Sequence, residues 1–229
     1  IRKDTNSDFL QWFHFRLTGA VDQRCKISII NAGKSSYPGG WKNYQACASY
    51  DREEWFRVPT TFRNGILTID FEPEHNSVYF AYFAPYSYER HLDLIHETQL
   101  FDNVSMEVVG KTFEGRDIEM LRVGKPGKNK KIIWVIARQH PGESMAEWFI
   151  EGMLSRLLDE DDPVSRTLLK EAVFYVVPNM NIDGSIAGNL RSSASGANLN
   201  REWQRPTKKY SPEVFYVRNK MDETGMNLI

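Results

Sequence analysis

The chain has little of what marks a membrane, disulfide-built or nucleic-acid-binding protein. Two cysteines, Cys25 and Cys47, occur in 229 residues. Both fall in strand-like stretches and read as reduced thiols rather than as a framework. No apolar run approaches the roughly 20 residues of a membrane-spanning helix. Lys and Arg number 29 against 30 Asp and Glu, giving a net charge of −1. With the signs interspersed there is no basic footprint for nucleic acid or an anionic membrane. The opening IRKDTNSD lacks the apolar core of a secretory signal, so a cytoplasmic protein is expected. Histidine is scarce as well: there are five, and none follows His140.

What is present suffices for a sizeable core. Hydrophobic residues make up 41% of the chain, enough for one large domain or two modest ones. A change of texture favours two, residues 1–98 and 99–229. Up to Phe83 the pattern is short apolar stretches (FLQWFHFRL, CKISIINA, YQACASY, EWFRVP, GILTIDFE, SVYFAYFAPY) parted by Gly, Pro, Asn and Ser. No helical stripe interrupts them, which predicts an antiparallel β-sandwich. Asn64-Gly65 between Phe62 and Ile66 is the clearest hairpin signal. The aromatics Trp12, Trp41, Trp55, Tyr79, Tyr82 and Tyr86 fit core and interface better than a ligand surface. Residues 85–101 then turn to a helical period.

From residue 104 the pattern is a hairpin, then strands alternating with helices. That order predicts a mixed, largely parallel α/β sheet, so the fold class is α/β. Ile132 to Ile136 is a continuous apolar segment, rich in β-branched residues, that reads as a strand buried on both faces. A helix is predicted over residues 144–159, with Met145, Trp148, Phe149, Met153, Leu154 and Leu157 on its apolar stripe. Pro163 opens a second helix, and residues 173–177, VFYVV, form another apolar strand. The loop between the first strand and its helix holds His140 and Glu143. An H-x-x-E pair at a strand's C-terminal end suits a metal, and imidazole with carboxylate points to zinc. An ordinary turn with a carboxylate at a helix entrance would leave the same trace.

The second strand empties into Pro178, Asn179, Asn181, Asp183 and Gly184. Adjacent parallel strands release their loops at one edge, which gives Arg191 and the Asn200-Arg201 pair a route to His140 and Glu143. Residues 184–203 read as a long loop without apolar period, which in a compact domain is usually functional. The histidines His14, His75, His91 and His96 have no carboxylate or thiol at ligand spacing and are expected at the surface or behind the site.

In order, these motifs resemble the zinc carboxypeptidases of the M14 type, in their cytosolic carboxypeptidase-like branch. His140-Pro141-Gly142-Glu143 is similar to the family's H-x-x-E pair, and residues 178–184, PNMNIDG, to its P-N-x-N-x-D-G turn. Gly188-Asn189-Leu190-Arg191 resembles the catalytic-arginine segment, and residues 198–203, NLNREW, the segment that holds a substrate carboxylate. The β-rich part ending in FAPYSY is similar to the branch's amino-terminal domain. The resemblance implies a carboxypeptidase-type second domain in which His140 and Glu143 bind Zn2+ and Arg191 steadies the oxyanion. It implies that Asn200 and Arg201 grip the terminal carboxylate, with peptide or protein C-terminal tails as substrates.

One departure stands out. The family uses a second histidine ligand and a glutamate base beyond the N-R segment, and neither is found in its place. The expectation is a chain cut short before the strand that supplies them, with residues 226–229 opening that strand. Removal of glutamate from acidic tails is the branch's best-known role. Two further readings stay open: a zinc amidohydrolase acting on small N-acyl amino acids, and a binding protein with a dead carboxypeptidase domain.

Overall fold

The computed structural model describes residues 1–225; the strand expected over residues 226–229 lies outside them. Seven strands make up the β-rich part: β1 (His14–Thr18), β2 (Cys25–Ile29), β3 (Ala46–Ser49), β4 (Phe56–Val58), β5 (Thr60–Arg63), β6 (Ile66–Phe71) and β7 (Ser77–Ala81). They form two antiparallel sheets, ordered β1-β7-β3-β4 and β2-β6-β5. Asn64 and Gly65 have φ of 51° and 78°. Both therefore adopt the left-handed conformation a two-residue hairpin turn demands, and Arg63 pairs Ile66 across it as the sequence predicted. Phe80, Val78 and Ala48 of the first sheet and Leu67 and Ile69 of the second lie in one core around Trp41. Trp41 is 1% exposed, and its indole N–H donates to the Ala32 carbonyl and the Ser35 hydroxyl, so the apolar ring is buried without an orphaned donor. Cys25 and Cys47 are both free thiols.

Helix α1 (Tyr88–Thr98) follows, capped by Ser87, whose side chain accepts from the Arg90 amide. Its Leu94 and Ile95 pack into the core of the next sheet, not the preceding pair. That sheet contains β8 (Val104–Lys111), β9 (Asp117–Val123), β10 (Lys131–Ile136) and β11 (Ala172–Val177), in the order β10-β11-β9-β8. The sheet is mixed, and the expectation of a largely parallel one needs correcting for the described residues. Only β10 and β11 run parallel, while β9 pairs antiparallel to both β11 and β8. The hairpin of β8 and β9 places antiparallel strands beside the β-α-β unit. The apolar residues of β10 are half-buried rather than buried on both faces, because β10 lies at one edge of these four strands.

Between β10 and β11 run α2 (Met145–Leu157) and α3 (Pro163–Glu171). Asp162 caps α3 through the amides of Val164 and Ser165. Helix α2 is rotated from its predicted stripe: Ile150, Leu154 and Leu157 are buried, whereas Met145 and Phe149 are 44% and 61% exposed. The inward face also carries Glu147, fully buried in an ionic cluster described below. After β11 comes α4 (Ile182–Ala187), a helix where the sequence predicted the start of a loop; Asn181 caps it by accepting from the Gly184 amide. The last described helix is α5 (Pro212–Thr224), whose Val214 and Val217 pack against Ile118 and Met120 of β9. No described helix is long and apolar enough to cross a membrane.

Candidate active site

Strands β10 and β11 are in parallel register, with Ile136 opposite Val177. Their C-terminal ends therefore open side by side. The Ala137 amide donates to the Val177 carbonyl and the Met180 amide to the Ala137 carbonyl, which carries the pairing into both loops. Arg138 follows with φ of 50°, a left-handed bend that turns the chain out of the strand. The turn from Pro178 supports the neighbouring loop, since the Asn181 side-chain amide donates to the Gln139 carbonyl at 3.0 Å.

The loop so placed holds His140 Nδ1 3.1 Å from Glu143 Oε1, and His140 Nε2 3.2 Å from Asn198 Oδ1. An amide oxygen only accepts, so the Nε2 nitrogen carries the proton. The Glu143 carboxylate likewise only accepts, so Nδ1 donates to it in this geometry; with that proton given up, Nδ1 and the carboxylate oxygen would form a two-donor set for a cation. The hydrogen bond with His140 is the leading influence on Glu143. It outweighs partial burial and, with the charges of His140 and Arg191, holds this carboxyl below the usual range. An imidazole nitrogen and an ionised carboxylate are ligands that zinc accepts, so the residues present fit that metal. Among the described residues no group of three or more His, Cys, Asp or Glu is arranged to hold an ion.

The structure brings three of the five predicted site residues into one cleft of about 320 Å³, lined by His140, Glu143 and Asn200 together with Phe149 and Ile150. Arg191 lies on the other side of Glu143, in a second cleft of about 380 Å³ with Tyr37, Tyr82, Phe83 and Met145. The Gly142 amide donates to the Leu190 carbonyl at 3.0 Å, and a Cβ on Gly142 would stand 2.8 Å from that oxygen. Glycine is what lets the arginine segment lie against the His140 loop. Arg201 lines neither cleft: it is exposed on the short 3₁₀ turn Leu199–Arg201, and its guanidinium donates to the Asn200 carbonyl.

Behind the loop is a buried ionic cluster that the sequence reading missed. Expected at the surface or behind the site, His91 is only 1% exposed. Its Nδ1 and Nε2 stand 2.9 Å from Glu147 Oε1 and 3.0 Å from Glu119 Oε2. Burial, the largest influence, depresses the basicity of His91, but the hydrogen bonds and charges of Glu119 and Glu147 together push its pKa up to about 9. Arg138 pairs with Glu147 and also donates to the carbonyls of Pro141 and Tyr86, while the Asn179 side chain donates to Glu147. The cluster thus reaches the loop of His140 through Pro141. His91 and Glu119 are 28 residues apart and His91 and Glu147 are 56 apart, so no local spacing signals the contact. An acidic residue at an inward position of α2 was the available hint.

Comparison with known proteins agrees with this architecture. The zinc carboxypeptidase model matches residues 89–223, and a cytosolic carboxypeptidase N-terminal domain model matches residues 1–83. The chain belongs to the zinc carboxypeptidase family. An uncharacterized protein of Zymomonas mobilis is 52% identical over all of this chain and 60% of its own length. The crystal structure of a metallo-carboxypeptidase from Burkholderia cenocepacia superposes with a TM-score of 0.97 at 50% identity, covering 100% of this chain and 62% of that one. A metallo-carboxypeptidase from Pseudomonas aeruginosa, solved in complex with (2-guanidinoethylmercapto)succinic acid, gives 0.95 at 46% identity, covering 98% and 60%. The chain spans about three fifths of the length of these relatives.

Proposed function

We propose that this chain supplies the His140–Glu143 half of a zinc site in a carboxypeptidase that removes C-terminal residues from peptide or protein tails. The observation that carries the reading is the geometry of His140, whose Nδ1 faces the Glu143 carboxylate while Nε2 is tied to Asn198. When bound, zinc supplies Lewis acidity that polarises a carbonyl and brings the pKa of water to about 7. The residues of this chain then divide the remaining work. Asn198 fixes the tautomer of His140, and Gly142 keeps the arginine segment close. Arg191, beside Glu143, brings a permanent positive charge to where a tetrahedral oxyanion develops. Asn200 borders the cleft, and Arg201, its neighbour, offers the planar fork that pairs with a terminal carboxylate. The Pseudomonas aeruginosa relative, bound to a succinic acid derivative, supports recognition of carboxylates.

A further metal ligand and a general base are needed outside the described residues. Glutamate as the residue removed follows only by analogy with the cytosolic branch and is one of the last residues to vary, and a cytoplasmic setting accords with the cytosolic carboxypeptidase N-terminal domain matched by residues 1–83. The test is a substrate panel given to the full-length zinc-loaded protein: free-ended peptides with varied last residues, their amidated counterparts, and N-acyl amino acids. Turnover of free-ended peptides alone supports the reading. Preference for N-acyl amino acids would replace it with an amidohydrolase, and no turnover of any would leave a binding role.

A further inference from the structure

The first nine residues, at the start of the β-rich part, are bonded to the segment that carries Arg191. Asp4 is 6% exposed, and its carboxylate collects four hydrogen bonds from that segment. Oδ1 accepts from the Leu190 amide at 2.6 Å, and Oδ2 accepts from the amides of Arg191 and Ser192 at 2.8 and 2.9 Å. The Ser192 hydroxyl adds a fourth at 2.9 Å. Charge-assisted bonds to a buried carboxylate are among the stronger hydrogen bonds in proteins. Neighbouring residues extend the grip: the Thr5 amide and hydroxyl donate to Asn189 Oδ1, and the Asn6 side chain donates to the Ala194 carbonyl. Gly196, with φ of 90°, leaves room for it, since a Cβ there would stand 2.3 Å from the Asn6 carbonyl oxygen.

The side chain of Arg191 is flanked from the same direction. Its guanidinium carbon lies 5.7 Å from the ring centre of Phe9 and 5.9 Å from that of Tyr37, within cation–π range. Backbone and side chain of one arginine are therefore both set by residues of the β-rich part, while the loop of His140 and Glu143 touches the same segment through Gly142 and Leu190.

We propose that Asp4 is a positioning residue for Arg191, so that the amino-terminal segment of the β-rich part acts as a brace on the oxyanion-binding arginine. The proposal rests on the carboxypeptidase reading of Arg191. A brace of this kind matters because displacement by about 1 Å costs on the order of 10²-fold in rate. Asn at position 4 keeps one acceptor oxygen and turns the other into a donor facing amide N–H groups, so the segment loses its shared anchor without a change of size.

The test is a double-mutant cycle in the full-length zinc-loaded protein, using a free-ended peptide that it hydrolyses. Arg191→Ala alone should lower kcat by on the order of 10² to 10³, and an unchanged kcat would refute the reading of Arg191 and the proposal with it. Given that loss, Asp4→Asn should lower kcat by roughly tenfold with KM nearly unchanged, and Asp4→Glu should recover part of it. In the Arg191→Ala background Asp4→Asn should then cost less than about twofold, since its effect passes through an arginine already gone. Equal losses in both backgrounds, or no loss with Arg191 intact, would overturn the proposal while leaving the reading of Arg191 in place. A second readout needs no activity: hydrogen exchange at the amides of residues 190–192 should speed up in Asp4→Asn and not elsewhere in the mixed sheet. Should Asp4→Asn fail to fold, Ser192→Ala removes one of the four bonds and should lower kcat alone, by a smaller factor. A change confined to KM would count against the brace.

Discussion

His91 Nδ1 lies 2.9 Å from Glu147 Oε1, in a place where neither side chain reaches solvent. The imidazole completes a chain of charges, Glu119–His91–Glu147–Arg138, that ends on the carbonyl of Pro141 in the loop of His140 and Glu143. Removing one member of such a cluster leaves its partners buried without compensation, so the cluster should be costly to break and sensitive to proton concentration.

The direction of that sensitivity follows from the pKa. His91 is pushed up to about 9, above the ordinary value of 6.5. Its contribution is fully present below about 6.5 and is lost as pH rises through about 9. Denaturant titrations from pH 6 to 10 should show this loss, on the order of 3 kcal/mol, in the wild type. His91→Gln should be less stable at neutral pH and should lack that component; parallel pH profiles for the two proteins would contradict the assignment.

Glu213 shows the same direction of pH dependence in a lower window, with burial as its cause. It is 1% exposed, its Oε1 accepts from the Phe113 amide at 3.2 Å, and its Oε2 has no partner among the described residues. Burial pushes its pKa up from 4.5 to about 7, and the charge of Asp183 adds to that. An unfolded chain ionises this carboxyl near 4.5, so its contribution to stability declines from there until pH passes about 7. Glu213→Gln keeps the oxygen facing Phe113 and should raise stability by roughly 1–3 kcal/mol at pH 8, with little gain at pH 4.5. Thermal melts of both proteins at the two pH values decide it. Destabilisation at pH 8 would mean that the ionised form has a partner after all.

The two arginines should fail in different ways. Arg191→Ala should reduce kcat by on the order of 10² to 10³ with little change in KM, as loss of one oxyanion donor does. Arg201→Ala should instead weaken recognition of a free carboxylate, so rates on free-ended peptides fall while the low rates on amidated ones stay as they were. Equal loss on both kinds of peptide would remove Arg201 from that role.

Much of this was legible because the signals were local. The Asn64-Gly65 turn states its own conformation, the H-x-x-E motif lies within one loop, and the P-N-x-N-x-D-G motif runs from one turn into the start of α4. The parallel register of two apolar strands then brought those loops together, as strand pattern alone suggested. What stayed hidden depends on distance along the chain. The pairing of His91 with Glu119 and Glu147, and that of Asp4 with the amides of residues 190–192, join side chains whose sequence neighbourhoods look ordinary. The stripe of α2 was misjudged for a related reason: Glu147 reads as solvent-facing until Arg138 and His91 supply its counter-charges.

Residues 1–229 alone present two ligands of the predicted site, whereas a catalytic zinc site generally has three from protein. His14, His75, His91 and His96 all come from elements before the mixed sheet's central strands, and His91 is committed to its two carboxylates. A chain ending at Ile229 should therefore bind zinc weakly or not at all and hydrolyse no peptide. Extension by roughly a hundred residues, to an α/β domain of ordinary size, should restore both. Stoichiometric zinc with peptidase activity in the shorter chain would show that the third ligand lies within it.

The most direct test is the metal content of the full-length protein and of its His140→Ala and Glu143→Ala variants, measured by elemental analysis on folded samples with matched circular dichroism. The account predicts stoichiometric zinc in the wild type and its loss in both variants while the β-rich part stays folded. A full complement of zinc in both would contradict it.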